Sequence, residues 1–363
     1  MRRPEFAMSQ AEARHFLTGR KTLQLAFAPA GGPPVLRTLH PVVVGDAVAF
    51  HGSPAGEKTL CAGMPVVLQA EEVVASVPSY FVHPERACPA TTLYRSVQVS
   101  GTVEEVADPP RKAAILQALM EKLQPEGGHR PITADDLLYR AAVAGIWIFQ
   151  VSLAEISGKA KLGQNRTPDE LAKLLEALWH RGDPGDTRAI ELVREANPLA
   201  RTPEFLSAPA GTKLHCWLDP ALAAAAADLL AGTYWNTGVS REELLAAHLG
   251  ASAWVGAHDA SGALVASARA VSDSAKCAWV YDVVVAEGWR GRGLGKALVR
   301  LLLAHPALRA VRATYLGTRD AEGLYARFGF VDRRSLPAKP YHSTEMVLVR
   351  HDAARHGRIR VLA

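Results

Sequence analysis

Residues 280–298 read VYDVVVAEGWRGRGLGKAL, and their types and spacing suit the binding of a phosphate-bearing ligand. The β-branched run Val280-Tyr281-Asp282-Val283-Val284-Val285 predicts a largely buried strand. It leads into Arg290-Gly291-Arg292-Gly293-Leu294-Gly295, and a helix is expected to begin near Lys296. A glycine-rich turn between strand and helix leaves several backbone N–H groups unpaired at the helix N-terminus, where the helix dipole also favours an anion. Glycine there lets a pyrophosphate approach the backbone without a Cβ in the way. Arg290, Arg292 and Lys296 add positive charge. An ordinary strand-to-helix turn is the alternative. No G-x-x-x-x-G-K-[ST] occurs, and no acidic residue closes a following strand as the dinucleotide fingerprint requires.

The elements that must position this cradle begin after a proline-broken stretch, 197–212, which reads as a linker. An alanine-rich helix over 220–230 is followed by Tyr234 and Trp235. A second helix starts at Ser240, where Ser240 and Glu243 have the spacing of a capping box. Strands over 253–258 and 263–271 form a hairpin around Asp259-Ala260-Ser261-Gly262. Beyond the cradle a helix, 299–303, and a strand, 311–316, precede Leu324-Tyr325-Ala326-Arg327-Phe328-Gly329-Phe330. A helix-rich start, a central sheet and a closing alternation of strand and helix predict an α+β sandwich.

The first half reads differently. A short helix over 10–19 is followed by strands over 23–28, 35–44, 47–51 and 66–70, with turns at Pro-Ala-Gly-Gly-Pro-Pro (29–34), Gly45-Asp46 and 52–56. A long alternating strand, 94–103, a helix over 110–123 and a strand over 145–153 complete the set. This pattern predicts a small antiparallel barrel. Two helices follow over 167–196, the first with Leu171, Leu174, Leu175 and Leu178 on one face. The expected boundaries are a barrel with helical extension at 1–200, a linker at 201–212, the α+β domain at 213–350 and a basic tail at 351–363.

Among 363 residues, 48% are hydrophobic and 21% charged, which is ordinary for a water-soluble protein with full cores. Lys and Arg (41) exceed Asp and Glu (36) by five, and no aromatic-interleaved basic ribbon points to nucleic acid. The four cysteines lack zinc-ligand or disulfide-framework spacing. No apolar segment predicts secretion or a membrane span, and a reducing cytoplasm is expected.

The cradle and the later Leu-Tyr-x-x-x-Gly-Phe element resemble the GNAT superfamily of N-acetyltransferases. In that family the pattern [RQ]-x-x-G-x-[GA] binds the pyrophosphate of acetyl-CoA, and it falls here on Arg290, Gly293 and Gly295. The resemblance implies that acetyl-CoA is held by Val283, Val284, Val285 and residues 290–296, and that Tyr325 lies beside the sulfur as general acid. Acetyl transfer to an amine also needs a polarised thioester carbonyl, which backbone N–H groups of 283–285 can supply. It needs a base as well, for which Asp282 and Glu287 are candidates. Either carboxylate could instead be a surface or capping group, and Thr318 is read as N-cap of the Tyr325 helix.

Phe50-His51-Gly52-Ser53-Pro54-Ala55-Gly56-Glu57-Lys58, Pro-Val-Val-Leu-Gln-Ala-Glu at 65–71 and Tyr-Arg-Ser-Val-Gln-Val-Ser-Gly-Thr-Val at 94–103 are similar to the split-barrel flavoproteins related to pyridoxamine 5′-phosphate oxidase, in the nitroimidazole-reductase-like branch. Gly-Lys-Ala-Lys-Leu-Gly-Gln-Asn-Arg at 158–166 looks like an element of the PaiB-type regulators, with Gly163 in place of the usual serine. The resemblance implies FMN at a homodimer interface, held by His51, Ser53, Lys58, Arg95 and Ser96, with Lys159 and Lys161 alongside. Ser53 is also readable as a helix N-cap. Some relatives hold haem or a deazaflavin, and His40, His51 and His83 keep that open.

The expected protein is a cytoplasmic, dimeric, bifunctional fusion of an FMN-dependent oxidoreductase and an acetyl-CoA-dependent N-acetyltransferase for a small-molecule or protein amine. The alternative is a regulatory protein whose flavin or haem barrel controls an acetyl-CoA-binding domain with little turnover. A third reading makes the barrel a reductase of nitroaromatic compounds.

Overall fold

The computed structural model describes residues 3–53 and 56–337. The expected basic tail, 351–363, lies outside them, as do 338–350. No described helix is long and apolar enough to cross a membrane.

The first part contains β1 (Ala7–Met8), α1 (Gln10–Thr18), β2 (Leu23–Phe27), β3 (Val35–Leu39), β4 (Val42–Val44), β5 (Ala47–Gly52), β6 (Pro65–Val77), β7 (Thr91–Thr102), β8 (Glu104–Glu105), α2 (Pro109–Leu123), α3 (Arg140–Gly145), β9 (Trp147–Ser152) and β10 (Glu155–Lys161). Six strands form one antiparallel sheet in the order β1-β10-β7-β6-β2-β3, and four form a second, β4-β5-β9-β8. Their inward faces share one core containing Leu25, Phe50, Leu68, Val97, Val99, Phe149 and Val151, as a split barrel requires. Alternation does the sorting: Leu93, Val97 and Val99 of β7 are buried, while Ser96, Gln98 and Ser100 between them face outward. Gly158 is required where it stands, because a Cβ there would come within 2.8 Å of the Met8 Cβ.

Two helices follow, α4 (Pro168–Arg181), with a Thr167–Glu170 capping box, and α5 (Asp186–Ala196), which begins at left-handed Gly185. The leucine stripe of α4 is wholly buried, and so are Ile190 and Val193 of α5. Then come β11 (Thr212–His215), α6 (Pro220–Leu229), α7 (Arg241–Leu249), β12 (Ala253–Asp259), β13 (Leu264–Ser272), β14 (Cys277–Val285), α8 (Leu294–Leu303) and β15 (Ala313–Tyr315). The Ser240–Glu243 capping box forms as the spacing predicts. The sheet runs β11-β12-β13-β14-β15, antiparallel except for the last pair, which is parallel. Together with its helices it makes the α+β domain. Helix α8 lies across β12, β13 and β14, and its core is continuous with the faces of α4 and α5. Ala227, Leu230 and Leu244, from the α6–α7 part, meet Val284 in a separate cluster.

The stretch between α5 and β11 is anchored. Leu206 is buried, Phe205 stacks on Trp179 with centroids 4.5 Å apart and planes 7° off parallel, and Arg300 donates to the Ser207 carbonyl at 2.7 Å. Its prolines end helix and strand without freeing the chain. Arg309 closes α4 from the other side, donating to the carbonyls of Trp179 (2.7 Å) and His180 (2.6 Å), where the last turn of a helix leaves its acceptors open.

The described residues from 317 to 337 belong to a separate compact unit. It holds α9 (Glu322–Ala326), in which Tyr325 packs edge-on to Phe330 with centroids 5.9 Å apart. Ala321, not Thr318, is the N-cap of this helix; Thr318 Oγ1 instead accepts the Ala321 N–H at 3.1 Å, one turn of chain earlier.

Candidate functional site

The cradle is built by a strand that leaves its neighbour. β14 pairs with β15 only from Cys277 to Trp279, so among the described residues no strand continues that ladder along Val283, Val284 and Val285. On its other side β14 keeps β13, with a register shift opposite Ser267–Arg269. Asp282 sits in this bulge at φ 54°, a left-handed conformation that an aspartate tolerates better than most residues. A short 3₁₀ turn, Glu287–Trp289, follows. Gly291 (φ 73°) and Gly293 (φ 84°) are left-handed, Gly293 is the N-cap of α8, and among the described residues no side chain caps that helix. The opening N–H groups of α8, from Leu294, Gly295 and Lys296, therefore remain for a ligand. A Cβ on Gly291 would meet nothing within 4 Å, and one on Gly293 only Pro209 at 4.0 Å, so the approach is open. Arg290 Nε donates to the Val285 carbonyl at 3.1 Å and ties the loop to the strand end. Arg292 lies over the Trp289 ring, and Lys296 is exposed. Leu294 is buried, so only its backbone can serve.

The two candidate bases differ. Glu287 is exposed in the turn before the cradle. Asp282 is buried with both oxygens taken: Oδ2 accepts from Arg269 Nε at 2.6 Å, and Oδ1 from Trp235 Nε1 at 3.1 Å and Asn236 Nδ2 at 3.3 Å. With three donors on its two oxygens, Asp282 holds the 234–236 turn against β14. Sequence spacing gives no sign of Arg269 or Asn236, because the bulge that brings them together carries no glycine. Sequence reading also missed an aromatic face: Trp279 stacks on Tyr315 (5.1 Å, 23°) and on Tyr281 (6.3 Å, 21°), and Arg269 lies over Tyr281. Tyr234, Trp235, Trp279 and Tyr281 are each 41–45% exposed.

In the barrel the seven residues expected at the flavin are distributed over both faces of the larger sheet and the end of β5. Ser96 pairs with Lys159 across the sheet and Tyr94 with Lys161, so these share the outer face. Arg95 points to the opposite face, where Glu72 accepts from it at 2.6 Å and Phe16 lies under its guanidinium. That carboxylate also holds Arg188 at 2.7 Å and Arg20 at 3.5 Å. Arg95 is thus committed to a structural ion cluster. Lys159 lies over the Phe6 and Tyr94 rings, and Lys161 donates to Thr91 Oγ1. His51, next to last in β5, points outward, and partial desolvation, then the charges of Lys58 and His40, lower its proton affinity below the usual histidine range. Lys58 stands beside the strand end, its side chain 3.9 Å from where a Cβ on Gly52 would lie. Gly56, not Ser53, caps the 3₁₀ turn Glu57–Cys61. His83 Nδ1 accepts the N–H groups of Glu85 and Arg86, and among the described residues no group of three or more His, Cys, Asp or Glu side chains is placed to hold a metal ion.

Comparison with known proteins follows the same division. Residues 9–160 match the pyridoxamine 5′-phosphate oxidase family, and residues 222–330 match the acetyltransferase (GNAT) family. A structure of a protein placed in the GNAT acetyltransferase family, from Xanthomonas campestris pv. campestris, is 33% identical over 37% of this chain and 94% of its own, with a TM-score of 0.31. The flavocytochrome Anf3 from Azotobacter vinelandii is 21% identical over 43% of this chain and 69% of its own, with a TM-score of 0.37. An FAD and haem binding protein from Mycobacterium smegmatis is 20% identical over 45% of this chain and 77% of its own, also with a TM-score of 0.37. No curated protein matches the chain.

Proposed function

Because the chain joins a pyridoxamine 5′-phosphate oxidase-type flavin barrel to an acetyltransferase domain of the GNAT family, we propose that it is an acetyl-CoA-dependent N-acetyltransferase that also carries a bound flavin, FMN, in a dimeric barrel. The observation that carries the transferase reading is the open N-terminus of α8 behind left-handed Gly293, at the end of a strand that has parted from β15.

In this reading the pyrophosphate of acetyl-CoA lies on the N–H groups of 293–296, with Arg292 and Lys296 supplying charge. The thioester carbonyl meets the unpaired edge of Val283–Val285, whose N–H groups stabilise the developing oxyanion. A neutral amine attacks the carbonyl carbon; the C–N bond forms, the C–S bond breaks, and Tyr325 gives its proton to the leaving thiolate. The acceptor amine lies toward Tyr234, Trp235 and the Trp279–Tyr281–Tyr315 face. Glu287, exposed beside the cradle, takes the amine proton directly or through water, while Asp282 fixes the acceptor-side turn.

For the barrel, His51 and Lys58 hold the flavin phosphate, with Ser96, Lys159 and Lys161 on the outer sheet face, where a second copy of the chain would cover the ring. Bound flavin would supply two-electron or one-electron acceptance there.

Tyr325→Phe tests the transferase. The rate of acetyl transfer should fall by about 10²–10⁴-fold with acetyl-CoA affinity kept; an unchanged rate removes Tyr325 as the acid, and absence of acetyl-CoA binding in the unaltered protein removes the reading itself. An absorbance spectrum with mass identification of the released group tests the flavin, and a colourless protein that FMN does not reconstitute overturns it.

A further inference from the structure

Where the end of α5, the anchored stretch before β11 and β11 itself come together, a cavity of about 380 Å³ opens to solvent. Arg194, Thr202, Ser207, Thr212 and Lys213 are among the residues that line it, and no Asp or Glu does. Arg194 is 8% exposed, and a guanidinium so far from water needs partners for its N–H groups. One end of it has them: Nη1 donates to Glu191 Oε2 at 2.8 Å and to the Leu214 carbonyl at 2.9 Å. Glu191, 4% exposed, is shared in turn, since His215 Nδ1 lies 3.1 Å from the same oxygen and Oε1 accepts the Cys216 N–H at 2.9 Å.

The other edge of the guanidinium, Nε and Nη2, has no partner among the described residues. It is not sealed in the interior, because the described side-chain nitrogens and oxygens that are both sealed and unpartnered belong to Arg20, Gln150 and His248. The free edge of Arg194 therefore meets water, and the cavity is the space that Arg194 lines. Nε–H and Nη2–H on one edge form the parallel fork that receives a carboxylate through two hydrogen bonds. The two bonds from Nη1 fix that fork before a ligand arrives, so little side-chain entropy is lost on binding. The facing wall is fixed as well, by buried Leu206 and by Arg300 on the Ser207 carbonyl. Thr212 Oγ1 is engaged with the Pro209 carbonyl at 2.7 Å, while Thr202 and Ser207 are exposed and bring rotatable hydroxyl donors.

Charge narrows the ligand further. Arg194 and Glu191 offset each other, which leaves exposed Lys213 as the further positive residue of the lining. One uncompensated positive charge suits a monoanion, and a dianion would bring charge that nothing in the lining balances. At about 30 Å³ for each molecule of liquid water, the space takes roughly a dozen waters, enough for a carboxylate with a body of several carbon atoms.

We propose that this cavity, outside the glycine cradle and the barrel, binds a small monocarboxylate whose two oxygens are received by Arg194 Nε and Nη2.

The full-length protein is titrated at constant ionic strength with propionate and with propionamide, which keeps the shape but not the charge, and binding is read from the ¹H–¹⁵N resonances of the arginine Nε groups. Propionate should shift the Arg194 resonance saturably and bind at least about tenfold tighter than propionamide, with or without saturating CoA. Arg194→Lys, which keeps the charge and loses the fork, should remove that advantage. Lys213→Met, at an exposed position, should weaken propionate about two- to fivefold; if the Arg194 variant does not fold, this variant and the resonance in the unaltered protein still decide. Equal affinities, an unmoved Arg194 resonance, or no binding of propionate would overturn the proposal. So would a shift abolished by CoA, which would place the anion at the cradle, or tighter binding of inorganic phosphate at pH 8, which would make the ligand a dianion.

Discussion

Arg188 Nη1 lies 2.7 Å from Glu72 Oε1, which joins helix α5 to strand β6. The same guanidinium lies over the Trp217 ring, beyond β11, at 5.4 Å. One arginine therefore touches the barrel and the segment that opens the acetyltransferase sheet. Burial alone would raise the pKa of Glu72, but hydrogen bonds from Arg188 and Arg95 outweigh it and bring the pKa down to about 2.

Glu72→Gln should accordingly destabilise the protein by about 2–3 kcal/mol at pH 7, since it leaves guanidinium groups around a neutral amide. A carboxylate with a lowered folded-state pKa stabilises fully above its ordinary value of 4.5, and that stabilisation is lost as pH falls toward 2. Urea denaturation at pH 7 and pH 3 checks this: the difference between variant and parent should shrink at the lower pH.

Gly293→Ala places a Cβ at φ 84°, a strain of about 1–2 kcal/mol. The side chain also enters the space above the α8 N–H groups. Acetyl-CoA affinity, measured by calorimetry, should fall more than about tenfold, whereas a surface-turn glycine such as Gly262, changed the same way, should lose stability alone.

Asp282→Asn separates a positioning role from a basic one. With Arg269 deprived of its partner, the 234–236 turn should loosen, and the KM for the amine should rise about tenfold or more with acetyl-CoA affinity unchanged. The pH profile of the remaining activity should keep its shape. Loss of its acidic limb would instead make Asp282 the base.

His305 is pushed down to about 4 by burial, then by the charge of Arg309. The folded protein refuses a proton that the unfolded chain accepts below about pH 6.5, so the stability held above that value is lost progressively as pH falls to 4. His305→Asn should flatten this part of the pH–stability curve by up to about 3 kcal/mol, as followed by thermal unfolding at pH 7, 5.5 and 4.5.

Much of the frame was legible in the sequence because its signals are local. The Ser240–Glu243 capping box, the leucine stripe of α4 and the strand–glycine–helix order of 280–298 each lie within a few turns of chain, and all form. Alternation along β7 likewise separates its core face from its outer face, although Arg95 and Ser96, neighbours in sequence, were expected at one ligand and stand on opposite faces. The missed features depend on distant partners. Arg269 reaches Asp282 through a bulge, and Arg188 meets Glu72 across more than a hundred residues. Proline content at 197–212 reads as loose linkage, yet the buried side chain of Leu206 and the Phe205–Trp179 stack hold that stretch in place.

The core that α4 and α5 share with α8 bears on how the protein can be handled in pieces. A fragment cut within 201–212 would leave α4 and α5 on the barrel piece without their cover from the transferase domain and bare the α8 side of the transferase sheet. Each piece would then present a wide oily surface to water, the condition under which proteins aggregate. An acetyltransferase fragment prepared without the preceding helices should therefore be poorly soluble, and the barrel and the transferase should lose their structure together on heating, in one calorimetric transition.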